Sequence, residues 1–498
     1  MRFAQSTLGL ALLALIGGAQ ASGYHFGSQS ASAQGTANAN SAEATDASGL
    51  FYNPAASARL GGTQASGVLN IVIPTGKFED QGSTTALGLP IKGSDGGKFV
   101  ATTAVPHAYL SHQLSDRLSL GFGMFVPFGS KSEYSEDWTG RYNTIGTELK
   151  TIALNPSLAF KVNEKLTFGG GLTAQRIEGK LSKGADFGSG AMANVIASQV
   201  AANAAPGVPT ELIQAAVMNK LGGLIKEVSG NAKYSGRVDV EGTDWGFGYN
   251  LGLMYNYDEN TRFGVAYRSA IGHKLSGTAK WQVQTPAANL ADLFNAKLGA
   301  GVGTAVQQRL LAAYTDSDAS LAVDTPESLS FNFFKQQDKL AVMGDVTVTR
   351  HSRFSELRVD FSNKLPDSVT PENWINTIRA AFGVNYQWSD QLKLRGGLAF
   401  DQSPVKLSTR TPSIPDNDRI WVSGGFNWKL SNKSSFDVAL SYINIAAAQV
   451  NNYDNGGVVN ASGSSVCDAT KNTSSCATVR GRYTVSSALL GLQYNHQF

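Results

Sequence analysis

The side chains able to do chemistry are few and scattered. The six His residues are dispersed, and the nearest pair, His107 and His112, has an odd separation that puts the rings on opposite faces of an extended strand, so they share no metal. No G-x-S-x-G serine, no phosphate-binding Gly-x-x-x-x-Gly-Lys loop and no H-E-x-x-H pair occurs. Cys467 and Cys476 have eight residues between them in one Ser-rich stretch. In an exported chain a local disulfide is their default, and two Cys with no nearby His make no metal site. What remains is charge interleaved with apolar residues: Lys393, Arg395 and Asp401 alternate with Leu392, Leu394, Leu398 and Phe400. Groups in that pattern can meet a charged ligand or pair with one another. Neither an enzyme nor a cofactor is expected.

Such alternation needs strands to display it. Six tight polar joints (Ser115-Asp116-Arg117, Asn163-Glu164-Lys165, Asp258-Glu259-Asn260, Gln336-Gln337-Asp338, Ser389-Asp390-Gln391 and Ser431-Asn432-Lys433) each sit between two alternating stretches. Longer Gly- and Ser-rich connections lie between the hairpins. Short turns on one side and long loops on the other describe a transmembrane β-barrel. Fourteen antiparallel strands are predicted between residues 62 and 498, an even number that puts both termini on the short-turn, periplasmic side. A charge on the lipid face at mid-bilayer costs up to ~2–4 kcal/mol. Val342, Val346 and Val348 should therefore face lipid, and Met343, Asp345 and Thr347 the lumen.

The ends agree with export. Arg2, the apolar run Leu8–Ile16 and Ala19-Gln20-Ala21 read as a signal peptide over residues 1–21. The last strand alternates Leu490, Leu492, Tyr494 and Phe498. Its closing aromatic resembles the signal read by the outer-membrane assembly machinery. A net charge of +3 over 498 residues argues against a nucleic-acid partner. Outer-membrane lipid and lipopolysaccharide are the expected surroundings.

Three segments exceed a bare barrel. Residues 22–61, small and polar, could fold up into the lumen as a plug or remain a disordered tail. Loop 3 (about 184–231) carries Leu212, Ile213, Val217, Leu221, Leu224, Ile225 and Val228 at helical spacing, and loop 4 (about 284–318) carries Leu290, Leu293, Phe294 and Leu298. Two apolar helical faces outside a membrane must bury against each other or against something greasy. Strand three, with Gly121, Gly123 and Pro127, has a weakened ladder and a missing donor. Either a gap or mere curvature follows.

With these features the chain resembles the FadL/TodX family of outer-membrane long-chain fatty acid and hydrocarbon transporters. Asn53-Pro54-Ala55 is similar to the motif closing the family's N-terminal hatch. Tyr257–Ser269, Thr325-Pro326-Glu327-Ser328, Leu394–Val405 and Ile414–Trp421 resemble further family segments in the right order. The resemblance implies a monomer that catches a hydrophobic ligand between loops 3 and 4, where Leu221, Leu224 and Phe294 would touch it. The ligand would pass to a pocket beside the hatch and leave sideways at strand three. Tyr24 and Phe26 stand where the family has an aromatic near the pocket, and Arg176, Lys180 and Arg395 are the implied partners for a carboxylate. Fatty acid is the first expectation and aromatic hydrocarbon the alternative, with a general aqueous porin less favoured.

Overall fold

The computed structural model describes residues 23–455 and 475–498. The predicted signal peptide and Cys467 lie outside the described residues.

Among the described residues the strands form one closed antiparallel barrel of fourteen. They are β1 (Thr63–Asp80), β2 (Thr103–Gln113), β3 (Leu118–Phe125 and Gly129–Glu133), β4 (Gly146–Lys161), β5 (Leu166–Ala185), β6 (Gly236–Asn256) and β7 (Thr261–Arg268 and Ile271–Gln282). The circuit continues with β8 (Ser317–Thr325 and Ser328–Gln337), β9 (Leu340–Thr349 and Glu356–Phe361), β10 (Ser368–Pro371 and Thr377–Gln387), β11 (Leu392–Asp401), β12 (Arg419–Lys429), β13 (Ser434–Ile445 and Ala448–Tyr453) and β14 (Thr478–Gln497). β1 pairs with β2 on one side and β14 on the other, which closes the sheet.

Six strands are interrupted, and the sequence points to a break, as one of two readings, for β3 alone. In β9 the break is a 3-10 turn, His351–Arg353, and in β8 it falls at Pro326, which cannot donate to a ladder. The apolar stripe predicted from alternation does face out: Leu398, Phe400, Ile420, Val422, Leu440 and Tyr442 are exposed, whereas Asp345, Asp401 and Asp437 are buried inside. Among the described residues no helix is long and apolar enough to cross a membrane.

Residues 23–61 fold inside the barrel as a compact plug with little regular structure, two four-residue helices, α1 (Ala31–Gln34) and α2 (Gly49–Tyr52), and a 3-10 turn over Pro54–Arg59. Its backbone groups therefore need partners from the wall. Tyr109 Oη donates to the Gln29 carbonyl (3.0 Å), Arg379 to that of Ala37 (2.7 Å), Arg262 to that of Ala42 (3.0 Å) and Arg268 to that of Phe51 (2.7 Å). Gln493 accepts from the Ala31 and Ser32 amides. Glu43 pairs with Lys393 at 3.1 Å.

Glycines in the wall make the seat for this plug. A Cβ on Gly252 would lie 2.0 Å from Asn53 Oδ1, and one on Gly169 2.3 Å from the Ala55 nitrogen. On the far side, a Cβ on Gly397 would lie 2.2 Å from the Thr36 carbonyl carbon. The loop helices are α3 (Phe187–Ala202) and α4 (Thr210–Val228) between β5 and β6, and α5 (Gln284–Leu298) and α6 (Val302–Ala313) between β7 and β8. They pack into one apolar cluster of their own.

Gly252→Val should leave a folded, heat-modifiable barrel but unseat the plug, because overpacking at a rigid backbone costs ~1–3 kcal/mol or more. Limited proteolysis should then cut between Asn40 and Arg59, and liposomes bearing the variant should leak small sugars. Protection equal to wild type would show that the wall yields instead.

Candidate functional site

The plug's first residues make the closest approach to an irregular wall. β2 and β3 pair only from Gln113↔Ser119 to Ala108↔Met124. Beyond that, Thr103–His107 pair with β1 alone, and β3 breaks at Val126-Pro127-Phe128. Into the break comes the plug's start. Phe26 N–H donates to the Pro127 carbonyl (2.8 Å), Gly129 N–H donates to the Tyr24 carbonyl (2.7 Å), and His25 and Phe128 form an antiparallel bridge. A short strand of plug thus occupies hydrogen-bonding positions that β2 does not fill. Phe26 stacks on His107 with centroids 6.2 Å apart, and Gln29 donates to the Val126 carbonyl.

Tyr24 sits in an aromatic box. Its ring centroid lies 5.7 Å from Phe128, 5.9 Å from Phe354, 5.2 Å from Trp374 and 6.4 Å from His351, and its hydroxyl donates to the Asp324 carbonyl. Gly23, at φ +57°, donates its N–H to Asp416. A Cβ there would meet the Trp374 ring at 2.5 Å, so only glycine fits beneath the indole. Trp374 Nε1 in turn donates to Glu372, a loop carboxyl that burial pushes from an ordinary 4.5 up to about 8. Below the box, a cavity of about 90 Å³ is lined by His25, Tyr52, Arg268, Asp345, His351 and Arg379. The Arg268 guanidinium lies over the Phe51 ring (4.5 Å) and near that of Phe125 (5.3 Å).

At the long-loop end a larger cleft of about 690 Å³ opens between α3 and α6. Phe187, Ala191, Val306, Leu310 and Tyr314 supply apolar walls, and Arg309 and Lys364 also line it.

Several sequence expectations need correction. Arg176 and Lys180 do not face the lumen. On β5 the inward residues are Thr173, Gln175 and Ile177, so the even-numbered Arg176 and Lys180 point outward with Leu172. Arg395 is buried in the lumen but is held in a close ion pair with Asp437. Gly121 and Gly123 lie in intact ladder, paired with Ser111 and Tyr109. They make room for Leu50 and for the Phe125 and Tyr109 rings, and the break falls at Pro127. Asn53-Pro54-Ala55 is an anchor: Asn53 donates to the Leu253 and Val265 carbonyls and caps Ala55. Phe294 is fully buried between helices, with Leu221 and Leu224 packed on the same cluster, so none of the three lines the cleft. Cys476 is disulfide-bonded.

The arrangement of plug, broken third strand and loop cleft can be set beside known proteins. The signature of an outer membrane protein transport protein family (OMPP1/FadL/TodX) matches residues 12–498. The chain belongs to that family. It is 37% identical to a putative outer membrane protein of Neisseria meningitidis serogroup B, over 96% of this chain and 95% of that one. Identity to the long-chain fatty acid transport protein of Escherichia coli O157:H7 is 26%, covering 90% and 94%. A crystal structure of a Pseudomonas aeruginosa FadL homologue shares the fold at a TM-score of 0.77 and 23% identity, covering 96% and 100%.

Arg268 and Arg379 were not singled out in the sequence, although the signal was present. Arg268 alternates with the outward Phe263, Val265 and Tyr267, which fixes its parity inward.

Glu372 gives the box a pH dependence. With its folded pKa raised, the folded protein keeps a proton that the unfolded chain has released between about pH 4.5 and about 8. Its stability therefore falls as pH rises through that window and is level above it. Glu372→Gln should remove this slope. Thermal unfolding at points across the window reads it, and an unchanged slope in the variant would assign the dependence elsewhere.

Proposed function

We propose that the protein carries hydrophobic molecules, long-chain fatty acids best of all, passively across the outer membrane, with the long loops extracellular and both termini periplasmic. It acts as a monomer and performs no catalysis. The pairing of His25 with Phe128 carries this reading: the wall beside Pro127 is completed by a removable piece of plug rather than by β2.

The route starts in the cleft between α3 and α6. Its volume and apolar walls suit an alkyl chain, and Arg309 and Lys364 against the single carboxyl of Asp186 favour an anionic amphiphile over a neutral aromatic. The cavity beneath Tyr24 is too small for such a chain, so the ligand takes the aromatic box and displaces Tyr24. Arg268 and Arg379 then stand within the lumen to meet a carboxylate. Losing Tyr24 from the box pulls Gly23–Phe26 off β3 and opens the wall between β2 and β3 to the bilayer. Each buried CH₂ is worth ~0.8 kcal/mol, so a chain of ~15 avoids a loss on the order of 12 kcal/mol by never entering water. Transfer down a gradient needs no energy source. The rest of the plug stays, held by the bonds from Tyr109, Arg262, Arg379 and Gln493.

A His25→Cys, Phe128→Cys pair tests the route, since bridge partners lie within disulfide reach. Oxidised cells should take up labelled oleate at least tenfold more slowly than cells treated with reductant, and wild type should be indifferent. Equal uptake in both states would exclude exit at Pro127. Filling the cleft with Val306→Trp should raise the concentration needed for half-maximal uptake while leaving the maximal rate nearly unchanged. A normal half-saturation point would remove the cleft from the route.

A further inference from the structure

The outward residues above the apolar band are not alike around the barrel. On β8 and β9 the rim charges neutralise each other: Glu327 binds Arg350 at 3.2 Å and Arg353 more closely still, and Asp324 lies 3.8 Å from Arg353. On β4–β7 they are layered. The row nearest the band reads Ile152, Arg176 and Trp245 across paired strands, with Lys274 level with Trp245, two residues below the Thr243↔Ser276 pair. Among the described residues neither Arg176 nor Lys274 has an ion pair. Asp244, one residue above Trp245, turns to His273 and accepts from the Lys274 backbone N–H at 2.9 Å, and the outward carboxylates of these strands lie in higher rows. Glu178 shares its row with Lys150, and Glu148 and Glu241 flank Lys180 above it, with Glu148 bound to Lys150 at 2.6 Å and Lys180 3.7 Å from Glu241. Below the cations, Leu172 and Phe247 are 70% and 76% exposed, an apolar face for acyl chains.

We propose that this outer face of β4–β7 binds a bisphosphorylated, multi-chain glycolipid of the outer leaflet. Its phosphates sit on Arg176 and Lys274, with Lys150 above, and its acyl chains run down over Leu172 and Phe247. Arg176 and Lys274 stand two strand spacings apart, roughly 10 Å, and Lys150 one strand further on widens the row of cations to roughly 14 Å. That span suits two phosphates on one headgroup and exceeds what the single phosphate of a glycerophospholipid reaches. Trp245 between the cations belongs to the aromatic level where a ring lies half in headgroups. The strands concerned lead directly into loops 3 and 4, so the bound lipid braces the base of the cleft. The inference rests on the orientation proposed above and not on the ligand route.

Native mass spectrometry of the full-length mature protein in detergent tests it, with bisphosphorylated lipid A, its dephosphorylated form, phosphatidylglycerol and inorganic phosphate as probes. Wild type should bind bisphosphorylated lipid A at least tenfold more tightly than the dephosphorylated form or phosphatidylglycerol, and inorganic phosphate not measurably. The Arg176→Ala, Lys274→Ala variant should lose that preference, whereas Arg350→Ala should keep it. Equal binding of the two lipid A forms by wild type overturns the proposal without any variant, as does an unchanged preference in the double variant. Labelling of a Leu212→Cys variant on whole cells reads orientation separately, so a failure there is distinguishable from a failure to bind.

Discussion

A polypeptide without regular structure, enclosed in a barrel, must have its backbone hydrogen bonds supplied by someone else's side chains, and much of this structure follows from that. The lumen is polar chiefly because the plug needs it to be. Arg262, Arg268 and Arg379 each donate to a plug carbonyl, and Tyr109 and Gln493 meet others. The same requirement separates the plug into two parts. From Gly27 onward it is tied to many strands around the circumference. Gly23–Phe26 are tied by a few backbone bonds to β3, one bond to Asp416 and one from Tyr24 to Asp324. The fewest ties to the wall thus belong to the residues that complete it.

Close approach is the second requirement, and glycine answers it. Gly169 and Gly252 admit Asn53-Pro54-Ala55 on one side, Gly383 and Gly397 admit Thr36 on the other, and Gly491 admits Gln34 near the seam. A wall with Cβ atoms there would hold the plug off and leave its carbonyls facing empty space. This gives Asn53 a fixed role: a side chain that both caps a turn and reaches two strand carbonyls is a fastener.

The barrel was legible because turns and alternation repeat: tight joints, fourteen strands and outward apolar stripes all follow from period two. The plug's location was legible only as one of two readings, since its composition also suits a disordered tail. Side-chain parity failed on β5. There Gly169-Gly170-Gly171 carries no signal, and Leu172 and Ile177 have opposite parity, so the family resemblance alone put Arg176 inside. Charges are kept from lipid only within the apolar band, and Arg176 stands just above it. Leu221, Leu224 and Phe294 lie on apolar helical faces as their spacing implied, with Phe294 fully and the leucines partly buried against the other helices rather than against the cleft. Which helices would touch, and which cleft would remain, depended on packing between segments that no local pattern encodes.

The placement of Ser28, Ala31 and Ser32 has a bearing on how the molecule is made. Closing the barrel means joining β1 to β14, the two strands farthest apart in the chain. Asn70 on β1 donates to the Ser28 carbonyl, and Gln493 on β14 accepts from Ala31 and Ser32. The plug therefore spans the seam from within, as a clasp whose two halves are brought together only when the ring is complete. A barrel that shut without this segment would have sealed out its own fastening.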